Sequence, residues 1–326
     1  MMRLPRRMAL LAGAGLLAPP ARAQSWQPSQ AVRCIISAAA AGTLDIHARA
    51  AGPGLTERMG QTVVMENNGG AAGRVASALV GRAARDGQTL LVSSGDGLVI
   101  SDILYGRSQG MLRQRLKPVT MTIIAAQLLV THPRSRIRSV DDYVARARTG
   151  QGVTLGVSGH GGIAHLISEM VTRGLGNMRV VNVPYRGGGP ATLDLLAEQI
   201  DAMIITLPAV TEHVRGGRLV PLAVSTLARD PAMPEVPTIA ETLIPGFDVP
   251  STQGVLVPEG TPDHIVNAWA QAWRGALRTE AVSRRLMDLG FVITTTTPAE
   301  FGASLDAAEA RFAEVVSAAG IRAEDA

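Results

Sequence analysis

The chain has 326 residues, 46% hydrophobic and 18% charged, which excludes disorder and collagen-like structure and is enough for about two domains. One cysteine excludes an intrachain disulfide and a cysteine-based zinc cluster, and ten aromatic residues are too few for a sugar-stacking cleft or a single-strand nucleic-acid platform. The formal charge of +4 comes from Arg3, Arg6, Arg7 and Arg22; the chain beyond residue 23 carries 27 basic and 27 acidic residues, so it has no electrostatic attraction for nucleic acid or an anionic membrane.

Residues 1–23 read as a secretory signal. Arg3, Arg6 and Arg7 form a basic start, Met8 to Ala18 an apolar run, and Ala21-Arg22-Ala23 a small-x-small cleavage site before Gln24. Eleven apolar residues span about 16 Å as a helix, well short of a ~30 Å bilayer core. The predicted location is therefore the periplasm, with cleavage after Ala23.

Beyond the leader, β-rich runs alternate with helical ones. Strands are predicted at Val32–Ile36, Thr62–Glu66, Thr89–Ser93, Gln127–Thr131, Val153–Val157, Arg179–Val183, Met203–Thr206, Leu219–Val224, Gly254–Val257 and Phe291–Thr295. Cys34 falls in the first of them, as a small buried residue. Leu44, Ala48, Ala51, Leu55 and Met59 recur at helical spacing, with a stop at Gly60. Ile163, Leu166, Ile167, Met170 and Val171 do the same, with a stop at Gly174 or Gly176. Gly52-Pro53-Gly54 predicts a kink or a break in the first helix. The alternation predicts an α/β fold with parallel sheets covered on both faces. No linker divides the chain, so two domains would be joined by crossing strands. Their predicted limits are 24–126 with 248–326, and 127–247.

Three glycine-rich loops each follow a strand and precede a helix. They are Ala38-Ala39-Ala40-Ala41-Gly42-Thr43-Leu44-Asp45, Ser158-Gly159-His160-Gly161-Gly162 and Tyr185-Arg186-Gly187-Gly188-Gly189-Pro190. Ligands gather at the carboxyl ends of strands in such sheets, where helix N-termini present unpaired N–H groups to an anion. Pro190 fits a first helical position. The three loops together predict an anion cleft.

Other chemistries fit less well. Gly159 to Ala164 matches a dinucleotide-binding G-x-G-x-x-A, but Arg179–Tyr185 lacks the ribose-binding acid. No cofactor is therefore predicted. Gly156 to His160 lacks the second glycine of a hydrolase elbow. His160 and His165 stand five apart, not the four that would share a helix face for zinc, so no metal is predicted. Asp45 and Asp96 are lone acids after separate strands, equally suited to capping and to ligand contact.

At these loops the sequence resembles the Bug family, the extracytoplasmic solute receptors of tripartite tricarboxylate transporters. The resemblance runs through Val32-Arg33-Cys34-Ile35-Ile36 with Gly42-Thr43 and Asp45, Val64-Met65-Glu66-Asn67, and Asp86-Gly87-Gln88-Thr89. It continues at Val130-Thr131-His132-Pro133, Val183-Pro184-Tyr185-Arg186-Gly187-Gly188-Gly189-Pro190, Met233-Pro234-Glu235-Val236-Pro237-Thr238 and Pro258-Glu259-Gly260-Thr261-Pro262. It implies a periplasmic binding protein-like fold, two α/β domains joined by crossing strands with a ligand cleft between them. It also implies a monomeric, non-enzymatic receptor for a small organic acid, serving a tripartite membrane permease. It implies a carboxylate held between the first and second glycine loops, and the candidate ligand-binding residues are Ala41, Gly42, Thr43, Asp45, Ser94, Ser158, Gly159, His160, Gly161, His165, Tyr185 and Arg186. The alternatives are a secreted two-domain hydrolase and a sensory or scaffold receptor that has lost ligand binding.

The departures from the family pattern fall at the site. Its first loop usually reads Pro-Phe-x-x-Gly-Gly, and here Ser37, Ala38, Ala41 and Gly42 hold those places. Gly162 stands where threonine is usual, Thr252 and Gln253 where an aromatic is usual, and Ile205-Thr206 where an acid or amide is usual. These changes predict a ligand bulkier or more apolar than a simple dicarboxylate.

Overall fold

A computed structural model describes residues 26–176, 178–185 and 187–323. The predicted leader and Arg186 lie outside the described residues. In chain order the strands are β1 (Val32–Ile36), β2 (Val63–Asn67), β3 (Thr89–Ser94), β4 (Leu116–Ala125), β5 (Gln127–Thr131), β6 (Val153–Ser158), β7 (Val180–Tyr185), β8 (Ala202–Thr206), β9 (Val220–Val224), β10 (Ser251–Pro258) and β11 (Val292–Ile293). The helices are α1 (Thr43–Met59), α2 (Arg74–Val80), α3 (Gly95–Gln109), α4 (Val140–Ala147), α5 (Ile163–Leu175), α6 (Gly188–Leu196), α7 (Thr211–Arg215), α8 (Ile239–Thr242), α9 (Asp263–Leu277), α10 (Glu280–Asp288) and α11 (Pro298–Ala319).

The strands form two sheets, ordered β11-β4-β10-β3-β1-β2 and β7-β6-β8-β5-β9. In the first, β1 is parallel to both neighbours, and β10 runs antiparallel between β3 and β4. In the second, β6 is parallel to β7 and β8, and β5 is antiparallel to β8 and β9. Helices cover the sheets, so inner strands read as near-continuous apolar runs. Val32, Cys34, Ile35 and Ile36 of β1 are all buried. Burial pushes the Cys34 thiol up to about 12, so it stays protonated and inert.

The chain passes from the first sheet to the second at Ala126, between β4 and β5, and returns before β10. The fold is thus two α/β domains joined by crossing strands. One apolar cluster runs through both, with Ile35, Leu91 and Phe301 of the first sheet's unit packed into the same core as Leu129, Leu155 and Val157 of the second. Trp269 and Trp273 anchor a further core between α1, α9 and the first sheet. Among the described residues no helix is long and apolar enough to cross a membrane.

Several local expectations are corrected. β4 carries no predicted strand, because Lys117 and Pro118 interrupt its pattern; Pro118 pairs with Leu256 beside a register shift, where a missing N–H is tolerated. α1 is one helix through Gly52-Pro53-Gly54, so two short helices do not meet there. A Cβ on Gly54 would lie 3.1 Å from that of Ala276, so this glycine allows α1 and α9 to pack closely. Gly176, not Gly174, ends α5, and Pro190 is the third residue of α6, not the first. The last strand is two residues long, shorter than Phe291–Thr295.

Candidate functional site

β1 leads to β2 on one side and has β3 on the other, so strand order reverses at their carboxyl ends. The same reversal occurs at β6, between β7 and β8. Such switch points open the crevices where α/β sheets hold ligands. The loop 37–42 follows β1, and Ser94 ends β3. The loop 158–162 follows β6, and Thr206 ends β8. A Cβ on Gly161 of the second edge would meet Leu104 of α3 at 2.4 Å and Ile321 at 3.7 Å, so this loop packs against the first sheet's unit.

The first edge is tied by side chains. Ala41 sits at φ +63°, in the left-handed region, and its N–H donates to Asp45 Oδ2 at 2.9 Å. Asp45 Oδ1 accepts from Arg49 Nε at 2.7 Å and Asn67 Nδ2 at 2.9 Å. Burial alone would raise this carboxyl, but these donors together hold it below the usual range. Asp45 therefore shapes the loop. Ser37 Oγ donates to Ser93 Oγ at 3.0 Å, and Ser94 Oγ caps α3 by accepting the Gly97 N–H at 3.0 Å. Asp96 is 1% exposed and takes the Thr252 N–H; burial pushes its carboxyl up to about 6.

Behind this edge lies a buried polar network. Gln253 Nε2 donates to Thr43 Oγ1 at 3.1 Å. Thr122 Oγ1 donates to the Gln253 carbonyl at 3.0 Å and lies 3.2 Å from His47 Nε2. Burial depresses His47 to about 4, so the ring is neutral at pH 7. Thr122 and Gln253 belong to β4 and β10, the strands next to the domain crossings, so the network joins the hinge region to the first turns of α1.

The second edge relies on glycine and imidazole. Gly159 and Gly161 take φ +89° and +67°, conformations that glycine adopts without a Cβ penalty. The Gly161 N–H donates to His165 Nδ1 at 3.0 Å. Nδ1 is then the acceptor, and the ring proton of the neutral form sits on Nε2, 3.8 Å from Glu169. Burial, and next the neighbouring His160 ring 4.8 Å away, lower His165. A Cβ on Gly162 would lie 2.6 Å from the Ser158 carbonyl oxygen, so this loop has no room for the threonine of the family pattern. Tyr185 Oη donates to Asp194 at 2.8 Å; burial, and then this bond, push it up to about 12. Gln127 Nε2 donates to Thr206 Oγ1 at 3.0 Å, mirroring Gln253 on Thr43.

Gly42 precedes α1, Gly162 precedes α5 and Gly187 precedes α6, each without a side-chain cap. Ser94, Ser139, Thr238 and Thr297 cap α3, α4, α8 and α11 through their hydroxyls. The glycine-started helices thus leave first-turn N–H groups and a partial positive charge without a side-chain cap at the carboxyl ends of β1, β6 and β7.

The sequence profile of the tripartite tricarboxylate transporter family receptor matches residues 47–316. The chain belongs to this receptor family. It is 32% identical to BugT of Bordetella pertussis over 291 residues, 88% of each chain. It is 33% identical to a Pseudomonas protein of the tcbD-tcbE intergenic region, over 81% of this chain and 78% of that one. Among solved structures, a Rhodopseudomonas palustris protein with adipate superposes with a TM-score of 0.83 at 29% identity, covering 90% of this chain and 99% of that one. A second from the same species, with bound malate, gives 0.79 at 26% identity, covering 89% and 99%. Periplasmic binding protein BugD gives 0.81 at 25%, covering 90% and 99%.

The receptor brings Ala41, Gly42, Thr43, Asp45 and Ser94 to the first edge, and Ser158, Gly159, His160, Gly161 and His165 to the second. Tyr185 lies on β7, one strand further out, and Arg186 is outside the described residues. Gln127, Gln253, His47 and Asn67 support these loops without being among the predicted site residues. Their signal in the sequence is faint: a glutamine set in each of two apolar strands, and an amide at the end of a third.

Proposed function

We propose that this receptor binds a small organic acid between the two sheet edges, closes its domains on it, and presents it to a tripartite membrane permease. The observation that carries this reading is the pair of glycine-started helices, α1 and α5, whose N-termini lack side-chain caps and each stand at a switch point of their sheet. Ala41 and Gly161 give their own N–H groups to Asp45 and His165, so they shape the loops. The donors for a carboxylate are the first-turn N–H groups of Thr43 and Leu44, and of Ile163 and Ala164. Ser158 and His160 are the nearest side-chain candidates on the second edge. Ala38 to Ala41 give the first loop no aromatic or charged side chain, and Leu104 and Ile321 pack beside Gly161 of the second. This favours an acid with an aliphatic body. The relatives solved with adipate and malate support the ligand class.

The receptor performs no chemistry on the ligand in this reading. It works as a monomer in the periplasm, from Gln24 onward, with domains at 24–126 plus 248–326 and at 127–247. The strand crossing at Ala126 supports the first limit. Thermal unfolding of protein shown ligand-free by native mass spectrometry tests the reading, against aliphatic acids and their matched amides. An acid at ~100 times its Kd stabilises by about 2.7 kcal/mol, a rise of a few degrees, and the amides give none. Equal shifts with acid and amide would remove the anion site, and chemical conversion of the ligand would make the protein an enzyme.

A further inference from the structure

We infer that the receptor carries a second small-molecule site, for an aliphatic amino acid, on the flank where α10 and β11 meet the turn at 230–231. A cavity of about 450 Å³ opens there, lined by Asp230, Pro231, Arg278, Met287, Phe291 and Ile293 among others. Its size is within the ~300–1,000 Å³ range of small-molecule sites. It shares no lining residue with the loops at 37–43 and 158–162.

Asp230 is the unusual member. It is 5% exposed, and its Oδ1 accepts the Ala232 N–H at 2.9 Å. Its Oδ2 has no hydrogen-bond or ion-pair partner among the described residues. Burial raises this carboxyl, and the one Ala232 N–H offsets that only in part, so an ammonium group within reach of Oδ2 would be favoured there. Arg278 lines the same cavity at its exposed rim and makes no ion pair among the described residues, Asp230 included. The cavity therefore holds one acid and one base that do not neutralise each other, beside an apolar wall. Met287, 54% exposed, and Phe291, 1% exposed, supply that wall with Ile293. A molecule with an ammonium group for Asp230, a carboxylate for Arg278 and an aliphatic side chain satisfies all three features.

The site also bridges the domains. Asp230 and Pro231 follow β9 of the second sheet, whereas the rest of the wall belongs to the first sheet's unit. Next to it, Thr211 Oγ1 and Arg215 Nη2 of the second domain donate to the carbonyls of Leu289 and Asp288, at 3.0 Å each, at the end of α10. An occupant would sit against this contact and tie the two domains together on that side.

Methyl-labelled methionine NMR of the chain from Gln24 onward tests the site through Met287. Norleucine is expected to move the Met287 methyl resonance saturably. Hexylamine and hexanoate, each lacking one charge, bind about tenfold more weakly, as does norleucine to Asp230→Asn or Arg278→Gln. Asn keeps the acceptor for the Ala232 N–H, so Asp230→Asn holds the turn, and an unchanged methionine spectrum of the free variant verifies its fold. A Met287 resonance that stays still at tens of millimolar norleucine overturns the proposal. So does equal affinity in Asp230→Asn, or hexanoate binding as tightly as norleucine.

Discussion

The two glycine-bearing loops that follow β1 and β6 are held by opposite means. The first is held by side-chain bonds: Ala41 is kept at φ +63° by Asp45, which also gathers Asn67 and Arg49. The second is held by the lack of side chains: Gly159 and Gly161 enter the left-handed region freely, and one neutral imidazole fixes the Gly161 N–H. The first loop thus depends on a single buried carboxylate, and the second on two bare backbone positions. Substitution should break them differently. Asp45→Ala removes the charged acceptor of the Ala41 N–H, Arg49 and Asn67, whose Nδ2 still reaches the Ala38 carbonyl, and should cost about 2–3 kcal/mol in chemical denaturation. Carboxylate affinity should fall with it. Asp45→Asn keeps an acceptor for the Ala41 N–H and loses mainly the ion pair to the half-exposed Arg49, so its cost should be less than half as large. Equal losses in the two variants would show that the charge, not the backbone tie, holds the loop.

The first edge also hides two titrating groups that burial moves in opposite directions. Asp96 is raised to about 6 and His47 is lowered to about 4, both by burial. Between about pH 4 and 6 native Asp96 keeps a proton that the unfolded chain has lost, so its contribution to stability falls as pH rises. Between about pH 4 and 6.5 the unfolded chain protonates His47 and the native state does not, so that contribution rises with pH. The two slopes oppose each other and flatten the profile of the intact protein. Removing either group should expose the other. Asp96→Asn should gain stability on going from pH 4 to 6.5, and His47→Gln should lose it, each by on the order of 2 kcal/mol. Thermal unfolding at stepped pH reads both. Parallel profiles in the two variants would mean that neither group titrates as its burial dictates.

The fold was largely legible because inner strands of covered sheets are apolar runs bounded by turns. β4 escaped because Pro118 breaks the run, and only the antiparallel partner β10 shows how its missing N–H is accommodated. The glycine loops marked where β1 and β6 give way to α1 and α5, since glycine is favoured where a chain turns sharply between elements. The supports of those edges were not legible. Asp45 reads as a cap or a ligand contact until the Ala41 N–H is found on it. Gln127 and Gln253 lie far in sequence from the threonines they orient, and nothing local marks such pairs. Within the second loop, Gly161 and Gly159 look alike in sequence but not in space. A Cβ on Gly161 meets Leu104 at 2.4 Å, whereas one on Gly159 meets nothing within 4 Å. Gly161→Ala should therefore cost about 2 kcal/mol and Gly159→Ala about 1, the latter from backbone strain alone. Denaturation curves that rank them the other way would remove Leu104 from the loop's packing.

The smallest expected effect has the opposite sign and is the sharpest test of the comparison. Ala41 holds a conformation that costs an alanine roughly 1–2 kcal/mol and a glycine almost nothing. Ala41→Gly relieves that strain but adds freedom to the unfolded chain, a loss of ~0.4–1 kcal/mol. The balance favours glycine by about 0.5 kcal/mol. Ala41 is also exposed, so its methyl contributes little packing to offset the gain. If Asp45 holds a strained loop, Ala41→Gly should raise the denaturation midpoint slightly and also reduce the penalty of Asp45→Ala in the double variant, because less strain then depends on the carboxylate. Additive effects of the two substitutions would mean that the Asp45 bond and the Ala41 conformation are independent. The first loop would then follow from its packing, since a Cβ on Gly69 would lie 2.8 Å from the Ala39 nitrogen and one on Gly73 3.1 Å from the Ser37 side chain, with the carboxylate an accessory to it.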